Sequence, residues 1–196
     1  MLNPFATRYT RPGQLAPLDE QGRAFDPDAA LAALEAAGGC GAFIGPHGSG
    51  KSTRLHACAA AAAARGERVC RLRLRRRVDT VYAAWRISTC SPSGLVCVDS
   101  LEQAGRGGLA VLRRLARVRG VRLLGTCHRS MGLPLIAVCS TSLPLLERLV
   151  EQLAGYESGV TAADVAEAFR ASNGNLREAL FLLYDRVEAA QQRQRS

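Results

Sequence analysis

The sequence predicts an α/β fold: a mainly parallel sheet with helices on both faces, followed by a small helical bundle. Three observations predict it. A glycine-rich loop, Gly45–Ser52, joins a short apolar run, Cys40–Ile44, to an alanine-rich, helix-prone stretch, Ser52–Arg65. Short apolar runs then alternate with helical patterns, the order that builds parallel sheets. After Ser140 the strand-like runs stop and helical patterns take over.

Each element follows in chain order. Residues 1–27 are rich in Pro and Gly and read as extended. Asp26 or Asp28 caps a helix that runs from Asp28 and stops at Gly38 and Gly39. The first strand, the loop and a helix to about Arg65 come next. Glu67–Leu74 reads as the second strand and Val78–Ser88 as a helix. Leu95–Ser100 is a short buried strand bearing a carboxylate near its end, followed by a glycine-rich loop, "AGRGG". Leu109–Val118 is a basic amphipathic helix, and Val121–His128 and Leu135–Ser140 are the last strands. Three helices close the chain, Ser142–Tyr156, Thr161–Ser172 and Gly174 onward. Thr161 with Asp164 resembles a capping box, and Leu176, Ala179, Leu180, Leu183 and Val187 recur at helical spacing. The tail from Gln191 is expected to fray. The organisation expected is an N-terminal segment 1–27, an α/β domain 28–140 and a helical part 141–196.

Bulk properties narrow the class. A chain of 196 residues holds one α/β domain and a helical appendage, and 47% hydrophobic content is ordinary for a globular protein. No apolar run of membrane-spanning length occurs, and the N-terminus lacks the apolar stretch of a secretory signal. The seven cysteines are odd in number, scattered and without a C-x-x-C pair. They read as small buried hydrophobes in a reducing cytoplasm, not as disulfides or a zinc site. The net charge of +9 favours nucleic acid or acidic partners. The densest basic stretch, Arg71–Arg77, alternates Arg and Leu in its first half, the period of a strand with one wet face. It reads as a solvated face or a phosphate-backbone contact, and no aromatics interleave with it to stack bases.

The loop carries the most specific chemistry. GPHGSGKS fits G-x-x-x-x-G-K-[ST], the phosphate-binding P-loop. Gly45, Gly48 and Gly50 let the backbone approach an anion, and successive N–H groups cradle it. Lys51 reaches the β- and γ-phosphates, and the Ser52 hydroxyl binds Mg²⁺. Of the 26 Lys and Arg residues, Lys51 alone is lysine, which suggests that a guanidinium would not fit there. The expected nucleotide-binding set is Gly45, Pro46, His47, Gly48, Ser49, Gly50, Lys51, Ser52 and Thr53. Within it His47 is a variable position with no catalytic role.

Ligands of such sheets bind at the carboxyl ends of the strands, where Gly45, Asp99, Thr126 and His128 all fall. Asp99 ends an apolar strand, the placement of the Walker B carboxylate that holds Mg²⁺ together with Ser52. Hydrolysis also needs a group to position water. Glu102, in "DSLEQ", either reaches back to do so or is a solvated first-turn carboxylate. Thr126 or His128 can touch the γ-phosphate or orient water, and a surface role for His128 stays open. Arg177, in "NGNLREAL", can stabilise a transferring phosphoryl group or simply face solvent. Arg129 is another candidate, acting across a subunit interface.

With "GPHGSGKST", "LVCVDSLEQ", "LLGTCHR" and "SNGNLREAL" in this order, the chain resembles the P-loop ATPases of the AAA+ and STAND-like groups. The resemblance implies a P-loop NTPase three-layer sandwich, a five-stranded sheet in the order 5-1-4-3-2 and a C-terminal helical lid. It implies Thr126 or His128 as a sensor, Arg177 as a lid sensor and an N-terminal segment, Phe5–Pro17, near the adenine. Two departures stand out. Ser100 occupies the place of the second acidic residue of typical AAA+ proteins. The connection from His128 to Leu135 is short for the helix that usually carries an arginine finger.

The expected function is therefore an ATP-binding protein and Mg-dependent ATPase that acts as a nucleotide-driven conformational switch, with Lys51, Glu102, His128 and Arg177 as catalytic candidates. ATP is preferred to GTP from the resemblance and from the lack of an N-K-x-D motif. A small-molecule kinase of P-loop type and a nucleic-acid-associated ATPase using Arg71–Arg77 or Arg113–Arg119 are the alternatives. The expected partners are ATP and a protein, with nucleic acid left open and no membrane.

Overall fold

The computed structural model describes residues 3–10, 14–19, 21–154 and 159–195. Residues 1–2, 11–13 and 20 of the expected N-terminal segment, the close of the first terminal helix at Tyr156, and Ser196 lie outside the described residues.

The strands are β1 (Cys40–Ile44), β2 (Val69–Arg73), β3 (Leu95–Asp99), β4 (Arg122–Cys127) and β5 (Leu135–Val138). All pair in parallel, in the order β2-β3-β4-β1-β5. This is the expected order. The helices are α1 (Thr7–Thr10), α2 (Pro27–Ala36), α3 (Lys51–Ala64), α4 (Asp79–Thr89), α5 (Gly105–Arg119), α6 (Leu143–Ala154), α7 (Ala162–Ala171) and α8 (Leu176–Arg195). A 3₁₀ turn, Leu101–Ala104, leads into α5.

Three elements depart from the sequence reading. The short helix α1 interrupts the segment expected to be extended. The tail continues as helix to Arg195. The glycines expected to form a loop before α5 instead form its first turn. A Cβ on Gly108 would sit 3.0 Å from Thr80 Cγ2 and 3.2 Å from Ala104 Cβ, so the small residue lets α4 pack close to α5.

The contacts divide the chain into two compact units, one of Asp26–Gly45 and Arg54–Cys139, the other of Met1–Phe25, Pro46–Thr53 and Ser140–Ser196. In the sheet unit, alternate strand residues serve opposite faces. Ala42, Val96, Val98 and Leu123 pack with Ala83 and Ile87 of α4 and Leu109, Leu112 and Ala116 of α5. Phe43, Leu95, Cys97 and Leu124 are equally buried and point the other way. On that side burial pushes the Cys58 and Cys97 thiols up to about 12. These are inert packing groups, as the scattered cysteines implied. The register of β5 against β1 shifts between Ala42 and Phe43. Gly41 is required here, because a Cβ would fall 2.4 Å from Ile136 Cδ1.

The helical unit has its own core. Leu145, Leu146 and Leu149 of α6, Val165 and Ala168 of α7, and Leu176, Ala179, Leu180, Leu183 and Val187 of α8 bury one cluster. The capping box forms: the Thr161 hydroxyl accepts from the Asp164 N–H, and the Asp164 carboxylate accepts from the Thr161 N–H. These bonds hold the Asp164 carboxyl below the usual carboxylate range. Phe5 is wholly buried in the same cluster. Asn3 fixes that insertion. Its amide donates to Tyr184 O at 2.9 Å and to Glu188 Oε1 at 3.1 Å, and its carbonyl oxygen accepts from Phe5 N at 3.1 Å.

Phe5→Ala is expected to destabilise the chain by about 3 kcal/mol through lost burial and the cavity left behind. The midpoint of urea unfolding measures it; an unchanged midpoint would show that the N-terminal segment is not part of this core.

Candidate nucleotide-binding site

The loop after β1 is built as its sequence requires. Gly45 N donates to Cys127 O at 3.2 Å, which fixes where the chain leaves the sheet. Gly48 and Gly50 take φ values of +73° and +79°, the left-handed region that L side chains rarely adopt. The Ser49 hydroxyl donates to Pro46 O at 2.9 Å and folds the loop on itself. Lys51 is 7% exposed, and its ammonium donates to the same carbonyl. A Cβ on Gly50 would meet nothing within 4 Å, so open space adjoins the loop there. A buried lysine, left-handed glycines and open space beside Gly50 fit an anion such as a nucleotide phosphate. Ser52 and Thr53 lie in the first turn of α3, where the helix dipole favours negative charge. Pro46 and His47 are exposed at the tip.

Asn175 is a loop neighbour that the sequence reading missed. A Cβ on Gly48 would stand 2.0 Å from Asn175 Oδ1. The same oxygen accepts from Arg177 N at 3.2 Å and lies 3.4 Å from Glu178 N. Asn175 thus caps α8 and rests against the loop. The available signal was an Asn directly before a helical run, a common N-cap. Arg177 itself is exposed, its guanidinium carbon 5.6 Å above the Phe181 ring.

The sheet unit gathers the other candidates at the ends of β3 and β4. Thr126, buried, donates to Asp99 Oδ1 at 2.7 Å and accepts from Ser100 N at 2.9 Å. Asp99 Oδ2 lies 3.7 Å from Arg73 Nε. Ser100 takes φ +59°, ψ +47°, left-handed for a residue with a Cβ. That conformation costs about 1–2 kcal/mol. It reverses the chain so that Leu101 packs on the notch at Gly125, where a Cβ would fall 2.5 Å from Leu101 Cδ2. Glu102 is thereby carried back to the strand ends. Its Oε1 lies 3.4 Å from His128 Nε2, while His128 Nδ1 lies 3.3 Å from Gly45 O. Glu102 Oε2 is buried without a hydrogen-bond partner, one of two such side-chain atoms among the described residues; the other is Thr80 Oγ1. His56 of α3 is a further neighbour. Burial and the Arg71 charge hold its ring below the ordinary imidazole value, while Asp99 pulls it up. Arg129 is exposed.

Chemically, the loop can hold a polyphosphate and the Asp99–Thr126 pair can hold a hydrated cation. Glu102 places a carboxylate beside His128 at these strand ends. The Gly125–Leu101 notch leaves no room for a Cβ. Gly125→Ala is expected to destabilise by about 1–3 kcal/mol through overpacking. Leu101→Ala in the Gly125→Ala background should cost less than the two single effects summed. Additive changes in unfolding free energy would show that the two positions are not coupled.

Comparison with known proteins gives a consistent picture. No family model matches the sequence, and no curated protein matches it. Solved structures do match the fold. A RuvB variant from Thermotoga maritima superposes with a TM-score of 0.58 at 17% identity, covering 80% of this chain and 58% of that one. DnaA from Aquifex aeolicus, bound to AMPPCP, gives a TM-score of 0.57 at 14% identity over 86% of this chain and 64% of that one. A replication initiator DnaA bound to AMPPCP and single-stranded DNA gives 0.56 at 15% identity, over 86% and 63%. The chain therefore spans less than two thirds of the length of these structures. The likeness shows the fold: this chain has the parallel P-loop α/β fold that these structures share.

Proposed function

We propose that the chain binds Mg·ATP at Gly45–Thr53, hydrolyses it slowly, and uses the nucleotide state to reset its helical part, residues 141–196, for a protein partner. The observation that carries the hydrolytic reading is Glu102, which the left-handed turn at Ser100 brings back to the strand ends, its Oε1 3.4 Å from His128 Nε2. A P-loop ATPase needs a carboxylate near the strand ends to position the attacking water.

Bound Mg·ATP would supply the transferable phosphoryl group and the metal charge that offsets charge developing on it. The residues present fit that group. In this reading Lys51 meets the phosphates, and Ser52 and Asp99 hold the metal through their oxygens and its water shell. Thr126 keeps Asp99 in one orientation. Glu102 orients the attacking water and takes up its proton. His128 is a positioning residue: it steadies Glu102 from one ring nitrogen and faces the Gly45 carbonyl with the other. Arg177, now over Phe181, is the residue proposed to link nucleotide state to α8. The AMPPCP-bound DnaA neighbours support nucleotide binding by this fold.

Lys51→Ala is expected to weaken ATP binding about 10- to 100-fold, as loss of charge-assisted hydrogen bonds does. Equilibrium titration with a fluorescent ATP analogue measures it, and unchanged affinity would refute the assignment of the loop. Glu102→Gln should leave ATP affinity within about two-fold and lower turnover by about 10²–10⁴-fold. Phosphate release measured beside binding separates the two; full turnover in this variant would mean that another group positions the water.

A further inference from the structure

Helix α4 turns an apolar face to solvent. Val78, just before it, and Val81, Tyr82 and Trp85 within it recur at i, i+3, i+4 and i+7, which places them on one side of the helix. Val78 is 62% exposed, Val81 73%, Tyr82 52% and Trp85 55%. The opposite side, Ala83 and Ile87, is wholly buried against the sheet. The amphipathic pattern is thus satisfied on the core side, and a second apolar stripe of about 10 Å remains outside.

The stripe is held in shape. Tyr82 and Trp85 lie with ring centroids 5.6 Å apart at 34°, and the Arg86 guanidinium carbon lies 5.9 Å over the Trp85 ring. Arg86 also lies beside Tyr82 and Cys70. At the other end Asp79 Oδ2 accepts from Arg75 N at 2.7 Å and Arg76 N at 2.9 Å, which pins the basic segment to the helix start. Arg75, Arg76 and Arg77 are all exposed. A rigid apolar ridge is therefore bordered by positive charge at both ends.

We propose that this face docks an acidic amphipathic helix of a protein partner. Its apolar side would cover Val81, Tyr82 and Trp85, and its carboxylates would meet Arg75, Arg76 and Arg86. Charge complementarity selects an acidic partner over a second copy of this chain, whose own stripe has the same basic border. The two valines select a protein over single-stranded nucleic acid. They offer no π-face to a base, yet Val81 is the most exposed member of the stripe. An exposed Trp and Tyr flanked by Arg is also the composition of interface anchors. The inference does not depend on nucleotide hydrolysis.

Trp85 is the sole tryptophan and so reports directly on its own burial. The probe is a synthetic helical peptide of about 18 residues, Leu and Phe on one face and Glu on the rest, against a scrambled peptide of equal composition. The expected result is a saturable blue shift of Trp85 emission with the helical peptide only. Val81→Asp, and separately Arg75→Glu with Arg76→Glu, should each weaken it at least about ten-fold. Circular dichroism confirms that the variants fold, and the arginine pair, exposed and outside the helix, keeps the test open if Val81→Asp does not. Equal binding by the scrambled peptide, or by the folded variants, overturns the proposal. So does a tighter response to a single-stranded oligonucleotide, or a blue shift that grows with protein concentration alone.

Discussion

One hydroxyl organises the strand ends of the sheet unit. Thr126 accepts the Ser100 N–H and donates to Asp99, so the last residue of β3 and the one after it are held by one side chain of β4. Because β3 and β4 are paired in fixed parallel register, that hydroxyl has little freedom to be elsewhere. The rest follows in sequence. The Ser100 N–H is satisfied, so the left-handed turn at Ser100 is tolerated. The turn drops Leu101 onto Gly125 and brings Glu102 to His128, and His128 in turn faces the carbonyl where β1 ends. Each member of this chain fixes the next. An unsatisfied buried N–H costs about 1–3 kcal/mol, enough to release the turn.

Much of this was legible in the sequence. Strand–helix alternation and the P-loop lead to a parallel sheet, and the resemblance implied the strand order that is found. Asp99, Thr126 and His128 fall at or just past strand ends, where the apolar runs before them pointed, and Glu102 lies in the 3₁₀ turn after β3, a placement the sequence left open. What could not be read is the direction of the chain after β3. Nothing in "DSLEQ" announces a left-handed serine, because that conformation is imposed by the Thr126 hydroxyl and the Gly125 notch, both on another strand. Asn175 escaped for a similar reason. Its capping role is local and readable, but its position against Gly48 joins residues far apart in the chain. Arg177, chosen for its guanidinium, rests instead on Phe181 one turn along its own helix.

The N-terminal segment shows the same division. Its Pro and Gly content predicted an extended path, which the short helix α1 interrupts. Yet Phe5 is as deeply buried as any leucine of the helical core, and Asn3 holds it there through bonds to α8. A single large apolar residue in a polar, turn-rich stretch carries no periodicity, so only tertiary structure reveals it.

The alternation of Arg and Leu along β2 has a consequence for how the protein behaves among its own copies. This strand lies at one edge of the sheet, where a further strand could add. Arg71 and Arg73 are exposed along it. A second β2 laid against the first would bring exposed guanidinium groups together, a repulsion that weakens as salt rises. These two arginines therefore disfavour growth of the sheet at that edge. Crowded copies should stay apart most firmly at low ionic strength, the opposite of a protein kept soluble by masking apolar surface.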